Sequence, residues 1–227
     1  ARRGRRIWVV HALLMLGGVV MIFPFVWEAL TAFKTFDGAH AVPPQIIPSP
    51  WEFGNFAEAL TTLPFLTMLL NSVVLTLGRV LRQVVLCTMA GYAFARLRFP
   101  GRTPLFLAFL SVLMVPSQLF LLPQFELIQR LGWMNSFAAL IVPGIFSAFG
   151  CFLMRQFFLQ LPNDLEEAAR IDGANAWQIF YKVMLPLAKP GIVALAVFTA
   201  LWSWIDLLWP LVVTTDPTKE PLTVGMS

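Results

Sequence analysis

The apolar positions of the chain fall into five long stretches, separated by short segments that carry charged residues or prolines. A helix needs about 20 mostly apolar residues to cross a hydrocarbon core of about 30 Å, because each residue adds about 1.5 Å. The stretches are too long and alternate too poorly for barrel strands, and backbone groups in lipid must be bonded internally. The pattern therefore predicts an all-α transmembrane bundle with five spans, at about residues 7–30, 66–95, 104–127, 137–158 and 191–213.

Positive charge lies mainly on one side of these predicted spans. If the chain starts in the cytoplasm, eleven Lys and Arg residues, including Arg2, Arg3, Arg5 and Arg6, fall in cytoplasmic segments, and three fall outside. This excess follows the positive-inside rule and agrees with alternating threading, so we expect a multi-pass protein whose N-terminus is cytoplasmic. The outer segment from Lys34 to Pro64 holds several prolines, which predict an extended, turn-rich chain.

Composition narrows the possible classes further. Residues are 58% hydrophobic and 12% charged, whereas about a quarter are charged in soluble domains. The two cysteines, Cys87 and Cys151, lie in apolar runs, which predicts small buried side chains and no disulfide framework. The net charge of +4 is spread over the ends of the spans, which argues against nucleic-acid binding. The sequence has no phosphate-binding loop motif, and its Cys and His residues lack the spacing of metal ligands, so we expect no cofactor on this chain.

The segment between the fourth and fifth predicted spans has the signals of a short surface helix. Asn163 and Glu166 have the spacing of a capping box, and Glu166 and Arg170 are four residues apart in the favourable order. Gly173 can end the helix in the left-handed conformation, and a second helical stretch is predicted at about 175–184. By periodicity alone, a helix that only lies on the membrane or caps the bundle is an equal alternative.

The residue pattern of this segment resembles a known family. Glu167-Ala168-Ala169, then Gly173, then Val183-Met184-Leu185-Pro186 resemble the EAA motif of ABC importer permeases, with Val183 in place of the usual Ile. Asn71-Ser72 and the segments 90–102 and 204–210 resemble the carbohydrate-uptake branch of these permeases, the group similar to the second maltose-transport permease. Ile205 departs from that branch, which usually has Asn after the Trp. The resemblance runs nearly from end to end.

The resemblance implies one transmembrane permease domain over residues 1–227, with a cytoplasmic coupling loop at about 159–190. Coupling to an ATPase would rest on six residues: Asp164, Glu167, Ala168, Ala169, Gly173 and Pro186. The implied partners are a second permease in a pseudo-symmetric heterodimer, two copies of the ATPase, an extracytoplasmic solute-binding protein and membrane lipid. ATP and Mg²⁺ would bind the ATPase, so this chain is not expected to be an enzyme. The implied cargo is a sugar or sugar-like solute, the implied location is the bacterial inner membrane, and a sixth helix is expected beyond Ser227.

Three charged residues lie well inside predicted spans, away from the span ends: Arg79 and Arg82 in the second and Asp206 in the fifth. Such charges are costly unless they meet a partner or a water-filled path, so a functional role is the default expectation. Their depths predict a partly buried pair of Arg79 and Asp206 beside the translocation path, although an ion pair that only holds the bundle together is equally possible. The alternative function is a stand-alone secondary transporter or channel that uses these charges, and an intramembrane enzyme lacks a nucleophile and base.

Overall fold

The computed structural model describes residues 2–62 and 64–226, and for residues 2–6 and 9 it describes the backbone alone. Every regular element in this part of the chain is a helix, which confirms the predicted all-α class. The chain forms two compact units, Ala1–Pro64 and Phe65–Ser227. Two predictions fall outside the described part of the chain. One is the positive charge at the N-terminus, on the side chains of Arg2, Arg3, Arg5 and Arg6, and the other is the helix expected beyond Ser227. The single permease domain over 1–227 stays a prediction.

The first unit consists, in its described part, of one long helix followed by two short ones: α1 (Arg2–Thr31), α2 (Phe36–Ala39) and α3 (Gly54–Thr62). The stretch Val10–Thr31 of α1 is long and apolar enough to cross a membrane. After α1, the ring of Phe33 lies 5.2 to 5.6 Å from the rings of Trp51, Phe53 and Phe56. Helix α3 differs from the extended chain predicted here, because it lies between Pro50 and Pro64 and contains no proline itself.

Over residues 65–226, the second unit contains one long α-helix and ten shorter ones, with a π-helical stretch at Ile179–Met184. These helices are α4 (Phe65–Arg96), α5 (Arg102–Ser111), α6 (Leu121–Arg130), α7 (Phe137–Ile141), α8 (Ala148–Gln160), α9 (Asp164–Ile171), α10 (Ala176–Gln178), α11 (Leu185–Leu187), α12 (Lys189–Ile205), α13 (Leu208–Val213) and α14 (Leu222–Gly225).

The core of this unit forms where α4 packs against α8 and α12. Glycine permits close approach: a Cβ at Gly91 would lie 2.6 Å from the Cβ of Met154, and one at Gly150 would lie 3.0 Å from the Sγ of Cys87. Small residues allow membrane helices to pack closely, and dispersion is then the main attraction between them. Cys87 and Cys151 are fully buried with free thiols, which confirms the prediction for both residues.

Only two described helices are individually long and apolar enough to span a membrane, and up to four spans result if each of two bent pairs counts as one. The second predicted span is the continuous helix α4. The third predicted span is interrupted: the helical stretches 102–114 and 117–130 meet at 96°, beside Pro116. Proline lacks the N–H that an uninterrupted helix requires. The five-span count is therefore not established by helix length.

The fourth and fifth predicted spans are also interrupted, so their prediction as continuous helices is wrong. Helix α7 ends before Pro143 and Gly144, and Gly144 has a φ of +69°. These two residues cannot continue a helix, and α8 starts only at Ala148. In the fifth stretch, α12 ends at Ile205, Asp206 is extended, and α13 starts at Leu208. Apolar length alone did not reveal these breaks.

The segment after α13 is held by polar side chains of earlier elements. Asn71 Nδ2 donates to the carbonyls of Thr218 (2.9 Å) and Glu220 (3.1 Å), and the Asn135 carboxamide accepts from the backbone N–H of Thr215 at 2.6 Å. Thr218 donates its hydroxyl and its N–H to the carboxylate of Asp216, and these hydrogen bonds lower the pKa of Asp216. Asn71, part of the family resemblance, thus fixes this connection.

Candidate functional site

Two of the three charged residues that lie deep in the predicted spans, Arg79 and Asp206, form an ion pair. Arg79 Nη1 lies 2.8 Å from Asp206 Oδ2, and the two side chains are 13% and 26% exposed. Asp206 stands where α12 ends, and its other oxygen accepts from the backbone N–H of Trp209 at 3.5 Å. The break between α12 and α13 therefore places the carboxylate, and the predicted partly buried contact is present. Its position beside a translocation path stays a prediction.

Arg79 also donates a hydrogen bond to a backbone carbonyl that the break after α7 leaves without its helical donor. Because Pro143 has no N–H, the carbonyl of Ala139 loses its helical donor, and Trp209 Nε1 donates to it at 2.9 Å. The next carbonyl, that of Leu140, accepts from Arg79 Nε at 2.9 Å. Backbone groups at membrane depth need such replacements, which side chains of neighbouring helices supply. Sequence reasoning missed both contacts, although Pro143 was a signal that carbonyls one turn earlier would need new donors.

Arg82 is not paired with Asp206. Its Nη2 donates to the carbonyl of Gly144 at 3.0 Å, in the same break. Its Nε and Nη1 are buried and lack a hydrogen-bond partner among the described residues. The single carboxylate of Asp206 therefore balances one of the two guanidinium groups.

The predicted coupling residues lie on α9 and the chain that follows it, and most of them face outward. Five of the six are exposed, and the sixth, Ala169, is half-buried and packs against the core around Phe158 and Met184. The five exposed residues are Asp164, Glu167, Ala168, Gly173 and Pro186. Alanine and glycine at the surface of a helix let another backbone come close. This outward set, with Ala169, is called the coupling surface below.

Arg96, the last residue of α4, fixes the position of α9, which is called the coupling helix below. Its Nε donates to the carbonyl of Phe158 at 3.1 Å and lies 3.4 Å from Glu166 Oε1, and both charged side chains are 7% exposed. Arg96 Nη1 also donates to the Asn163 side chain. The predicted capping box is therefore wrong: Asn163 makes no capping bond, since the guanidinium takes the groups that would cap. The predicted Glu166 and Arg170 pair is present at 3.6 Å.

Gly173 ends α9 as predicted. Its φ is +81°, its N–H donates to the carbonyl of Arg170 at 3.0 Å, and the N–H of Ala174 donates to Ala169 at 2.9 Å. This pair of bonds is the Schellman motif, which needs a left-handed residue at that position. Asn175 then begins the next helix with a capping box formed with Gln178.

The helix that follows runs over Ala176–Leu187 and meets α12 at 73°. It contains the π-helical stretch Ile179–Met184, and Pro186 stands one residue after Leu185. Pro186 cannot donate to the carbonyl four residues earlier, which favours a wider turn at this point. Among the described residues, no group of three or more His, Cys, Asp or Glu side chains could hold a metal ion.

Comparisons with known proteins agree over nearly the whole chain. A family model for binding-protein-dependent transport system inner membrane components matches residues 3–226. The chain is 37% identical over 221 residues to the diacetylchitobiose uptake system permease protein NgcG of Streptomyces coelicolor, covering 96% of this chain and 73% of NgcG. It is 35% identical over 231 residues to the sn-glycerol-3-phosphate transport system permease protein UgpE of Pectobacterium atrosepticum, covering 99% and 82%.

A solved structure shares the fold. It is a bacterial ABC transporter involved in the import of the acidic polysaccharide alginate, and one of its chains superposes with a TM-score of 0.85 at 24% identity. The superposition covers 99% of this chain and 80% of that chain.

Proposed function

The chain belongs to the family of binding-protein-dependent transport system inner membrane components, and on that premise we propose that it moves a sugar or sugar-like solute as half of a translocation path. It is an inner membrane permease subunit of an ABC importer, and it is a transport component and not a catalytic one. The stand-alone transporter considered from the charges has no support from these relatives, which are permeases of uptake and transport systems.

The coupling surface is the part of the chain that would receive the ATPase. Its support is the exposure of Ala168, on a helix that Arg96 and Glu166 fix to α4, and of Gly173 just after that helix. A helix held in this way transmits a push from a cytoplasmic partner to the spans. ATP and Mg²⁺ would bind two copies of that ATPase, whose closure would shift the permease between inward-open and outward-open states.

The proposed topology has five spans and a cytoplasmic N-terminus. The interrupted predicted spans would each cross as one broken helix, with the freed carbonyls bonded by side chains such as Trp209 and Arg79. A second permease would complete the heterodimer, a solute-binding protein would deliver cargo from outside, and lipid would cover the remaining apolar surface.

The cargo class rests on the relatives' names. One is a permease for diacetylchitobiose uptake and the other for sn-glycerol-3-phosphate transport, so both solutes carry several hydroxyl or polar oxygen groups. We place Arg79, Arg82 and Asp206 beside the translocation path because they meet where two helices are interrupted. Interrupted helices at membrane depth are tolerated where protein or a water-filled cavity surrounds them.

The experiment that tests the function is capture of the ATPase by the coupling surface. Ala168→Trp places a large side chain on the exposed face of α9, and we expect at least a tenfold loss of co-purified ATPase and of solute uptake, with membrane insertion unchanged. Ala39→Trp, at an exposed position of the segment between Lys34 and Pro64, is the matched control. It should keep both the capture of the ATPase and the uptake of solute. Normal capture and uptake by Ala168→Trp would reduce α9 to a surface helix.

A further inference from the structure

An apolar groove lies between α4 and the chain that follows the coupling helix. Its volume is about 560 Å³, within the usual range for small-molecule sites. Its walls include Val85 and Met89 from α4 and Leu185 and Ile192 from the facing segment. Val85 and Met89 are 46% and 41% exposed, so the groove opens to the surroundings of the chain.

The groove carries positive charge at its edge and no negative charge among its described lining residues. Lys189 is the one charged residue of that lining. Lys189 is also the first residue of α12, and the N-terminus of a helix carries a partial positive charge. A cation at that end of a helix is unfavourable by itself, whereas an anion placed beside both is stabilised by both.

A second polar group in the groove has no hydrogen-bond partner. Thr88 lines the groove, is 2% exposed, and its Oγ1 has no partner among the described residues. A buried hydroxyl without a partner costs free energy, so an acceptor from a bound molecule would be favourable. The groove thus combines apolar walls, an unpartnered hydroxyl and a cation.

The depth of Thr88 suits the boundary between headgroups and acyl chains. Helix α4 has 32 residues and is about 48 Å long, so if it is centred it extends about 9 Å beyond each face of a 30 Å core. Thr88 is eight residues from Arg96, or about 12 Å from that end of α4. It therefore lies within a few Å of the plane in which the ester groups of phospholipids sit.

We propose that this groove binds one anionic phospholipid of the cytoplasmic leaflet. An acyl chain lies along the apolar walls, the phosphate lies at Lys189, and an ester carbonyl accepts from Thr88. Basic pockets between helices on the cytoplasmic side are suited to such headgroups. A spanning helix of another subunit fits less well, because its backbone groups are already bonded and it offers no phosphate. The side of the membrane rests on the proposed topology.

The test uses the intact permease and ATPase complex, stripped of lipid and then exposed to phosphatidylglycerol or phosphatidylcholine in detergent. Native mass spectrometry counts the lipids retained. The wild type should retain phosphatidylglycerol preferentially, and Lys189→Gln should weaken that retention about fivefold while leaving phosphatidylcholine unchanged. Thr88→Val should weaken retention of both lipids. Lys182→Gln is the matched control, because Lys182 is an exposed cation on the same segment that does not line the groove.

Equal retention of phosphatidylglycerol by the wild type and Lys189→Gln would overturn the proposal. Cross-linking provides a second measurement. Met89→Cys should react with a thiol-reactive probe carried on a lipid. Cross-linking mainly to the second permease would assign the groove to a protein partner and overturn the lipid site. Capture of the ATPase is read in the same preparations. If the permease captures the ATPase but shows no preference for phosphatidylglycerol, the lipid site alone is refuted. If the permease does not capture the ATPase, the proposed coupling is refuted.

Discussion

The Arg79 guanidinium serves two acceptors at once, the Asp206 carboxylate and the Leu140 carbonyl. Removal of the carboxylate leaves a partly buried cation, and removal of the cation leaves Asp206 Oδ2 and the Leu140 carbonyl without their donor. Water cannot replace either lost partner unless the site opens, because the side chains of Arg79 and Asp206 are only 13% and 26% exposed. The pair therefore differs from the exposed pair of Arg130 and Glu126, which lie 3.6 Å apart on α6.

Substitution of the pair should show coupling between its members. Arg79→Ala and Asp206→Ala should each lower the stability of the solubilised protein by about 2 kcal/mol, because each leaves an uncompensated group. The double variant should recover part of the loss, although the Leu140 carbonyl stays unbonded. Thermal unfolding in detergent measures all three, and Arg130→Ala should change stability by less than about 0.5 kcal/mol. Purely additive losses in the double variant would contradict an interaction.

Gly173 provides a second residue-scale prediction. Nothing lies within 4 Å of a Cβ built at Gly173, so its φ of +81° is the main obstacle to a side chain. Gly173→Ala should destabilise the end of α9 by about 1 kcal/mol, whereas Gly173→Asn should cost less because Asn tolerates the left-handed region. Hydrogen exchange of α9 measures the difference. Equal protection in both variants would mean that the strain is absorbed elsewhere.

The sequence predicted those features of the candidate site that depend only on residues close together in the chain. The left-handed turn at Gly173 and the pair of Glu166 and Arg170 follow from spacing within one helix. The role of Arg96 does not, because it depends on the end of α4 lying beside the end of α8. That proximity also explains the failed capping box, since a guanidinium from a distant part of the chain takes both Asn163 and Glu166.

Among the elements, apolar length predicted α1 well, and it did the same for α4. Its 32 residues form a single helix, and it contacts both α8 and α12. The interrupted stretches contain comparable numbers of apolar residues, but Pro116, Pro143 and the acid Asp206 stand within them. Hydrophobicity sets where the chain enters a membrane, whereas hydrogen bonding decides whether a helix stays continuous, and the partners for freed carbonyls are visible only in three dimensions.

Close packing of α4 against α8 gives a prediction for the element scale. Gly91→Leu would force side-chain atoms into Met154 and the backbone of Arg155, which lie 2.6 and 2.9 Å from the position of a Cβ. We expect a destabilisation of at least about 2 kcal/mol and reduced accumulation in the membrane. Gly18→Leu, where nothing lies within 4 Å, is the control and should accumulate normally. Normal accumulation of Gly91→Leu would show that α4 and α8 can separate without loss.

For the whole molecule, orientation is the property most open to a direct test. Thr103→Cys, two residues after Gly101, should be shielded from a membrane-impermeant thiol reagent in intact cells, and Ala39→Cys should be labelled. Both positions are exposed, and the native Cys87 and Cys151 are buried, so background labelling is low. Permeabilised cells are the control and should label both variants. Labelling of Thr103→Cys in intact cells would reverse the proposed threading.

The sequence predicted the family because motif spacing needs no knowledge of contacts. It did not predict the two compact units or the helix α3, which lies within the outer segment expected to be extended. Helix α3 begins at Gly54, a poor helix former, and has no acidic residue in its first turn, so local sequence did not signal it. Arrangement at this scale depends on which surfaces meet, and a linear pattern does not contain that information.

Helix α4 joins the two charged contacts described above, with Arg96 at one end and Arg79 seventeen residues earlier, about 26 Å away. Helix α4 can therefore act as a lever. Arg96 bonds the coupling helix at one end, and Arg79 holds the ion pair with Asp206 about 26 Å along the same helix. A tilt of about 10° about the Arg96 end would displace Arg79 by about 4.5 Å over that length. Because the contact between Arg79 and Asp206 is only 2.8 Å long, a tilt of this size would break it unless α12 moved as well.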